Sequence, residues 1–72
     1  MSKIPKGKIM VKILERLGFY VDRQSGSHVI LKHEIFGTVA VPVHGSKELK
    51  IGLFKDILKR VDLSEEDFWK LK

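Results

Sequence analysis

Between Lys6 and Leu17 apolar residues return every three or four positions, at Met10, Ile13, Leu14 and Leu17, with Lys8, Lys12, Glu15 and Arg16 between them. That spacing is the period of a helix with one apolar face, and it predicts an amphipathic first helix. Gly18 tolerates the left-handed conformation that closes many helices, so the helix is expected to end there. The period then changes. Phe19 to Gln24 is aromatic and β-branched, Ser25-Gly26 is a turn signal, and Ser27 to His33 follows with Val29, Ile30 and Leu31 at its centre, which together read as a β-hairpin. After His33-Glu34-Ile35-Phe36, Gly37 marks a second turn, and Thr38 to Val43 alternates with Val39, Val41 and Val43 on one side. Pro42 cannot donate to a ladder, so this strand is expected to be an edge strand or to be ending.

Beyond His44-Gly45-Ser46 the helical period resumes through Leu49, Leu53, Phe54, Ile57, Leu58 and Val61. Asp62-Leu63 interrupts it. Ser64, followed three residues later by Asp67, has the form of a capping box opening a last short helix that carries Phe68, Trp69 and Leu71. The expected order is αβββα with an appended C-terminal helix. Three sequential antiparallel strands that bury one face against two helices make a two-layer α+β domain. No internal repeat, linker or low-complexity stretch divides the chain, so residues 1–72 are expected to form one domain.

Composition narrows the function classes. A 72-residue chain with 43% hydrophobic residues holds one core, with little stability to spare in the absence of a disulfide, metal or partner. It contains no cysteine, which excludes disulfides, thiol nucleophiles and thiolate metal sites and fits a reducing compartment. No run of about 20 apolar residues is present to span a bilayer, and Met1 to Lys8 lacks the apolar stretch of a signal peptide, so a cytoplasmic protein without a membrane partner is expected. The formal charge is +5. Residues 1–60 carry 12 basic and 5 acidic groups, whereas residues 61–72 carry 2 and 4, so the cationic surface belongs to the body of the domain. A basic body favours polyanions, because each phosphate neutralised releases condensed counterions.

The chain has three histidines, His28, His33 and His44. Their spacings of 5 and 11 residues match no compact ligand motif, and no metal site or cofactor is expected. Strand parity separates them further: His28, Ile30 and Lys32 share one face, while Val29, Leu31 and His33 share the other. No serine occupies a strained Gly-x-Ser-x-Gly turn, and no carboxylate pair stands out. Acid-base chemistry by a lone imidazole is what survives, since an unperturbed pKa of about 6.5 lets it take and give a proton near neutrality. RNA suits that chemistry, because its 2′-hydroxyl is a built-in nucleophile and cations on the phosphate suffice without a metal. A lone histidine in a small domain also serves structurally. What singles out His28 is Gly26-Ser27 before it, a residue without a side chain and a small one, leaving room for a large ligand. Lys6, Lys8, Arg23, Lys32 and Lys47 are candidates for phosphate contacts around it, and each reads equally well as a solubilising charge.

Two blocks of sequence carry a more specific signal. Leu17-Gly18-Phe19 closes the first helix and leads to Arg23-Gln24-Ser25-Gly26-Ser27-His28; later comes Val41-Pro42-Val43-His44-Gly45-Ser46-Lys47-Glu48-Leu49, followed by Ile57-Leu58 and Leu63-Ser64-Glu65-Glu66. Both in register, over Lys6 to Trp69, the chain resembles the HicA (YcfA-like) toxin family. The resemblance implies a double-stranded-RNA-binding-domain-like fold, metal-independent cleavage of messenger RNA, and neutralisation by a cognate HicB-type antitoxin in a type II toxin–antitoxin system. It implies that His28 is the catalytic histidine, that Gly26 and Ser27 are the Gly-Ser before it, and that Pro42 and His44 form the Pro-x-His block. For His44 a supporting role in binding stands beside simple stabilisation of the turn. The resemblance transfers no role to His33 or Trp69. Two other classes fit the residues alone: a non-catalytic RNA-binding module of the same fold, and a protein-binding module whose basic face docks an acidic partner.

Overall fold

The N-terminal helical period folds into α1 (Gly7–Arg16) in the computed structural model, which describes residues 3–72. Met1 and Ser2, the start of the segment read above for a leader, lie outside the described residues. Helix α1 stops in a Schellman motif. Gly18 has φ +100°, its N–H donates to the Glu15 carbonyl at 3.1 Å, and the Phe19 N–H reaches back to the Leu14 carbonyl at 3.0 Å. Phe19 was expected to open the first strand. Instead it completes the helix stop, and its buried ring packs in the core, so strand β1 begins one residue later and runs Tyr20–Ser25.

Strands β1, β2 (His28–His33) and β3 (Gly37–Pro42) form one antiparallel meander with β2 at its centre. The first hairpin turns on Gly26-Ser27 rather than Ser25-Gly26, because Ser25 still pairs with His28. Gly26 carries φ +59° while Ser27 does not have a positive φ; a two-residue turn of that kind is the type II′ pattern, which calls for glycine first. The register slips between Val21 and Arg23, leaving Asp22 as the unpaired residue of a bulge. Strand β3 is an edge strand that ends at Pro42, so both alternatives posed by that proline hold. Val43 extends the ladder by one bond beyond it, its N–H donating to the Ser27 carbonyl at 2.7 Å.

Helix α2 (Ile51–Val61) starts two residues later than the apolar period suggested. Leu49 is buried, but it sits in an extended segment: its N–H bonds the Pro5 carbonyl at 2.9 Å, beside an isolated antiparallel bridge between Lys6 and Glu48. The last helix, α3 (Glu65–Lys70), opens as expected, with the Ser64 hydroxyl accepting from the Asp67 N–H at 3.0 Å. One core joins these layers. Leu31, Val39 and Val41 from the sheet meet Met10, Ile13 and Leu14 of α1, Phe54, Ile57, Leu58 and Val61 of α2, and Phe68 of α3. All three sheet residues lie on the face opposite His28, Leu31 by strand parity and Val39 and Val41 through their pairing with Leu31 and Val29, so the helices cover one face and the other stays open. Among the described residues no helix is long and apolar enough to cross a membrane.

Candidate active site

His28 begins β2 at the end of the sheet where the hairpin turns back, and its imidazole is exposed and makes no hydrogen bond among the described residues. Directly across the ladder is Pro42. Residues paired in this way share a face with Cβ atoms about 4.5–5.5 Å apart, so the proline ring flanks the histidine. The neighbouring Ser27 makes the contact that the sequence did not disclose: its hydroxyl lies 3.3 Å from Nε2 of His44, with the donor set by the imidazole tautomer. The Val43 N–H bond to Ser27 locks the same two segments together. Ser27, His28, Pro42 and His44 thus form one group, drawn from two pieces of chain far apart in sequence.

The backbone of this end is held by Gly7, which sequence reasoning overlooked. A Cβ built on Gly7 would fall inside contact distance of the Pro42 carbonyl oxygen and 3.0 Å from Val43 Cα. Only glycine lets the start of α1 press against the exit of β3. Gly26 is different: nothing lies within 4 Å of a Cβ built there, so its positive φ, not clearance from the protein, is what requires glycine.

The two main helices both begin at this end of the sheet. Lys6 caps α1 and Lys50 caps α2 without a side-chain bond, and neither first turn holds an acidic residue. The contrast is α3, whose first turn holds Glu65, Glu66 and Asp67 under a serine cap. The partial positive charge of the α1 and α2 starts is therefore not offset by acids in their own first turns, and Lys6 and Lys50 add to it.

The other predicted cations divide. Lys47 lines a cleft with His44 and Pro42, and Lys6 is joined to Glu48 of the same wall by the bridge described above. Arg23 and Lys32 are instead tied to the bulged Asp22, at 2.9 and 3.7 Å, so one carboxylate offsets both. Lys32 does share the open face with His28, but it lies four residues along the strand, about 13 Å away. Lys8 is exposed on α1.

His33 has another occupation. Its Nδ1 accepts from the N–H groups of Ile35 and Phe36 at 3.0 and 3.2 Å, which leaves the ring proton on Nε2, 3.2 Å from the Leu17 carbonyl. The ring also packs on Phe19 and Phe36, with centroids 4.9 and 4.7 Å away. It pins the β2–β3 turn to the end of α1. Among the described residues no three His, Cys, Asp or Glu side chains gather in a metal-binding group.

Residues 7–63 match the family described as the HicA toxin of bacterial toxin–antitoxin systems. The chain belongs to the HicA toxin family. That match takes in α1, the whole sheet, the Ser27–His28 corner, the His44 turn and α2, and stops just short of α3. A HicA toxin is one half of a toxin–antitoxin pair, so membership implies a cognate antitoxin for this chain. A search of curated proteins returns no match.

Proposed function

We propose that residues 1–72 act as one toxin domain of a type II system, a metal-independent ribonuclease that cleaves messenger RNA in the cytoplasm with His28 as its catalytic acid and base. The observation that carries this reading is the grouping at one end of an uncovered sheet: an exposed imidazole with no hydrogen-bond partner among the described residues, a serine–histidine pair beside it, and cations with helix starts that lack side-chain caps behind it. Such a site suits a ligand that brings its own nucleophile and its own negative charge.

In the proposed reaction His28 removes the proton of a ribose 2′-hydroxyl. The 2′-oxygen attacks the adjacent phosphorus, the O2′–P bond forms as the P–O5′ bond breaks, and the departing 5′-oxygen takes up the proton that His28 now carries. The products are a 2′,3′-cyclic phosphate and a 5′-hydroxyl, and no metal or oxidant enters the balance. Lys6 and Lys47 stabilise charge on the phosphate oxygens, and Ser27 with His44 holds the corner in shape. Arg23 and Lys32 reach the RNA further along the open face, with less effect because Asp22 shares them. The antitoxin, of the HicB type, silences the toxin by covering the His28 end.

The test is incubation of wild type and His28→Ala with a labelled messenger RNA in excess EDTA. Cleavage by the wild type alone is expected. Equal cleavage by both would remove His28 from the mechanism, and intact RNA in both would turn the reading to a non-catalytic RNA-binding module.

A further inference from the structure

The cleft beside the His28 corner has a shape and chemistry that phosphate contacts do not use. It encloses about 300 Å³ between the exit of β3 and the start of α2. Pro42, Leu49 and Leu53 give it apolar walls, while His44, Lys47 and Lys50 stand around them. Neither lysine is held in an ion pair among the described residues, unlike Arg23 and Lys32. Glu48 is the one acidic lining residue.

We propose that this cleft is a nucleobase subsite, which seats the base of the RNA nucleotide on one side of the scissile bond. The inference rests on the ribonuclease reading above and adds to it the part of the substrate that the enzyme grips. Size favours a single base with its ribose, since small-molecule sites range over about 300–1,000 Å³ and this one is at the lower limit. Chemistry favours a base inside and phosphates outside. Apolar walls suit an aromatic ring, and the Glu48 carboxylate disfavours a phosphate but accepts from the N–H groups on a base edge. Lys47 and Lys50 then meet the backbone on either side of it. Position completes the case. Pro42 is both a wall of the cleft and the cross-strand partner of His28, and His44 is both a lining residue and the partner of Ser27. A base seated here delivers its own ribose and phosphate to the imidazole.

The experiment uses single-stranded oligoribonucleotides, intact or with one abasic position on either side of the cleaved bond. Wild type, Leu53→Trp and Lys50→Ala are compared. Tryptophan at the half-buried position 53 fills the cleft, and Lys50 is exposed, so the second variant does not touch the core. Loss of the base on one side is expected to lower wild-type kcat/KM about tenfold, the scale of one base contact. Leu53→Trp is expected to raise KM for intact RNA by a similar factor with little change in kcat, and to be indifferent to that abasic position. Lys50→Ala is expected to raise KM about threefold while staying sensitive to it. Wild-type rates equal on intact and abasic RNA, or a folded Leu53→Trp with unchanged KM, would overturn the subsite. If the wild type cleaves nothing, the ribonuclease reading falls, and the cleft is judged by binding of the same oligonucleotides. Tenfold weaker binding on base removal or on Leu53→Trp upholds it; equal binding overturns it.

Discussion

Gly7→Ala adds one methyl group at the first residue of α1, where alanine ordinarily favours a helix over glycine by up to about 1 kcal/mol. Here the packing decides the opposite sign. The added carbon would overlap the Pro42 carbonyl oxygen and lie 3.0 and 3.1 Å from Val43 Cα and Cγ2, so two of the three obstructing atoms are backbone and cannot swing away as a side chain can. Overpacking costs about 1–3 kcal/mol, and two obstructing backbone atoms put this site toward the upper end. After the helix preference is subtracted, a net loss of about 1–2 kcal/mol is expected. At about 4–8 °C per kcal/mol for a domain of this size, Tm should fall by roughly 5–15 °C. Gly52→Ala is the matched control, since Gly52 lies in the first turn of α2, has no positive φ, and a Cβ there meets nothing within 4 Å. It should raise Tm by a few degrees, an effect of up to about 1 kcal/mol. Melting curves followed by circular dichroism decide. A Gly7→Ala protein that melts at or above the wild-type temperature would refute the contact between α1 and the β3 exit, and with it the account of what holds the His28 corner.

Other perturbations test separate parts of the structure. Phe68→Ala removes a buried ring set edge-on to Phe54 at 5.1 Å, and should cost about 3–5 kcal/mol in urea unfolding. That is a large share of the total, because a chain of 72 residues has about 4–11 kcal/mol to lose. A loss below about 1 kcal/mol would mean that α3 is not part of the core. Asp62 occupies the left-handed position at the end of α2 with φ 57°, so Asp62→Gly should stabilise by about 0.5–1 kcal/mol and raise Tm. A lower Tm would show that the aspartate side chain contributes more than the strain it incurs. His33→Phe keeps a ring between Phe19 and Phe36 but strands the N–H groups of Ile35 and Phe36 and the Leu17 carbonyl, at about 1–3 kcal/mol. RNA cleavage per folded molecule should stay at the wild-type rate, and a selective loss of cleavage would give His33 a part in the site.

What the sequence disclosed was whatever repeats with a local period. Met10, Ile13 and Leu14 declared the buried face of α1, and the alternation from His28 to His33 put His28 and Leu31 on opposite faces, of which the core takes that of Leu31. Element ends were less legible where a residue has two duties. Phe19 looks like a strand residue and serves as the hydrophobic contact of a helix stop; Leu49 continues a helical spacing and is buried in an extended segment. Candidates for the site could be named one by one from the sequence, but their arrangement could not. Nothing in local spacing joins Ser27 to His44, lets Asp22 offset both Arg23 and Lys32, or brings the starts of α1 and α2 together. Those depend on register, on a bulge and on one close approach at Gly7, all of which exist only after the chain has folded.

The central claim is that the RNA's own 2′-hydroxyl attacks under the control of His28, and the ends of the products test it most directly. An oligoribonucleotide cleaved in EDTA by the wild-type protein should yield a 2′,3′-cyclic phosphate and a 5′-hydroxyl. Replacement of the single ribose at the cleaved bond by 2′-deoxyribose should abolish that cut. A 5′-phosphate on the product, or undiminished cleavage at the deoxy position, would contradict the mechanism, because water or another nucleophile would then have done what the 2′-oxygen is proposed to do.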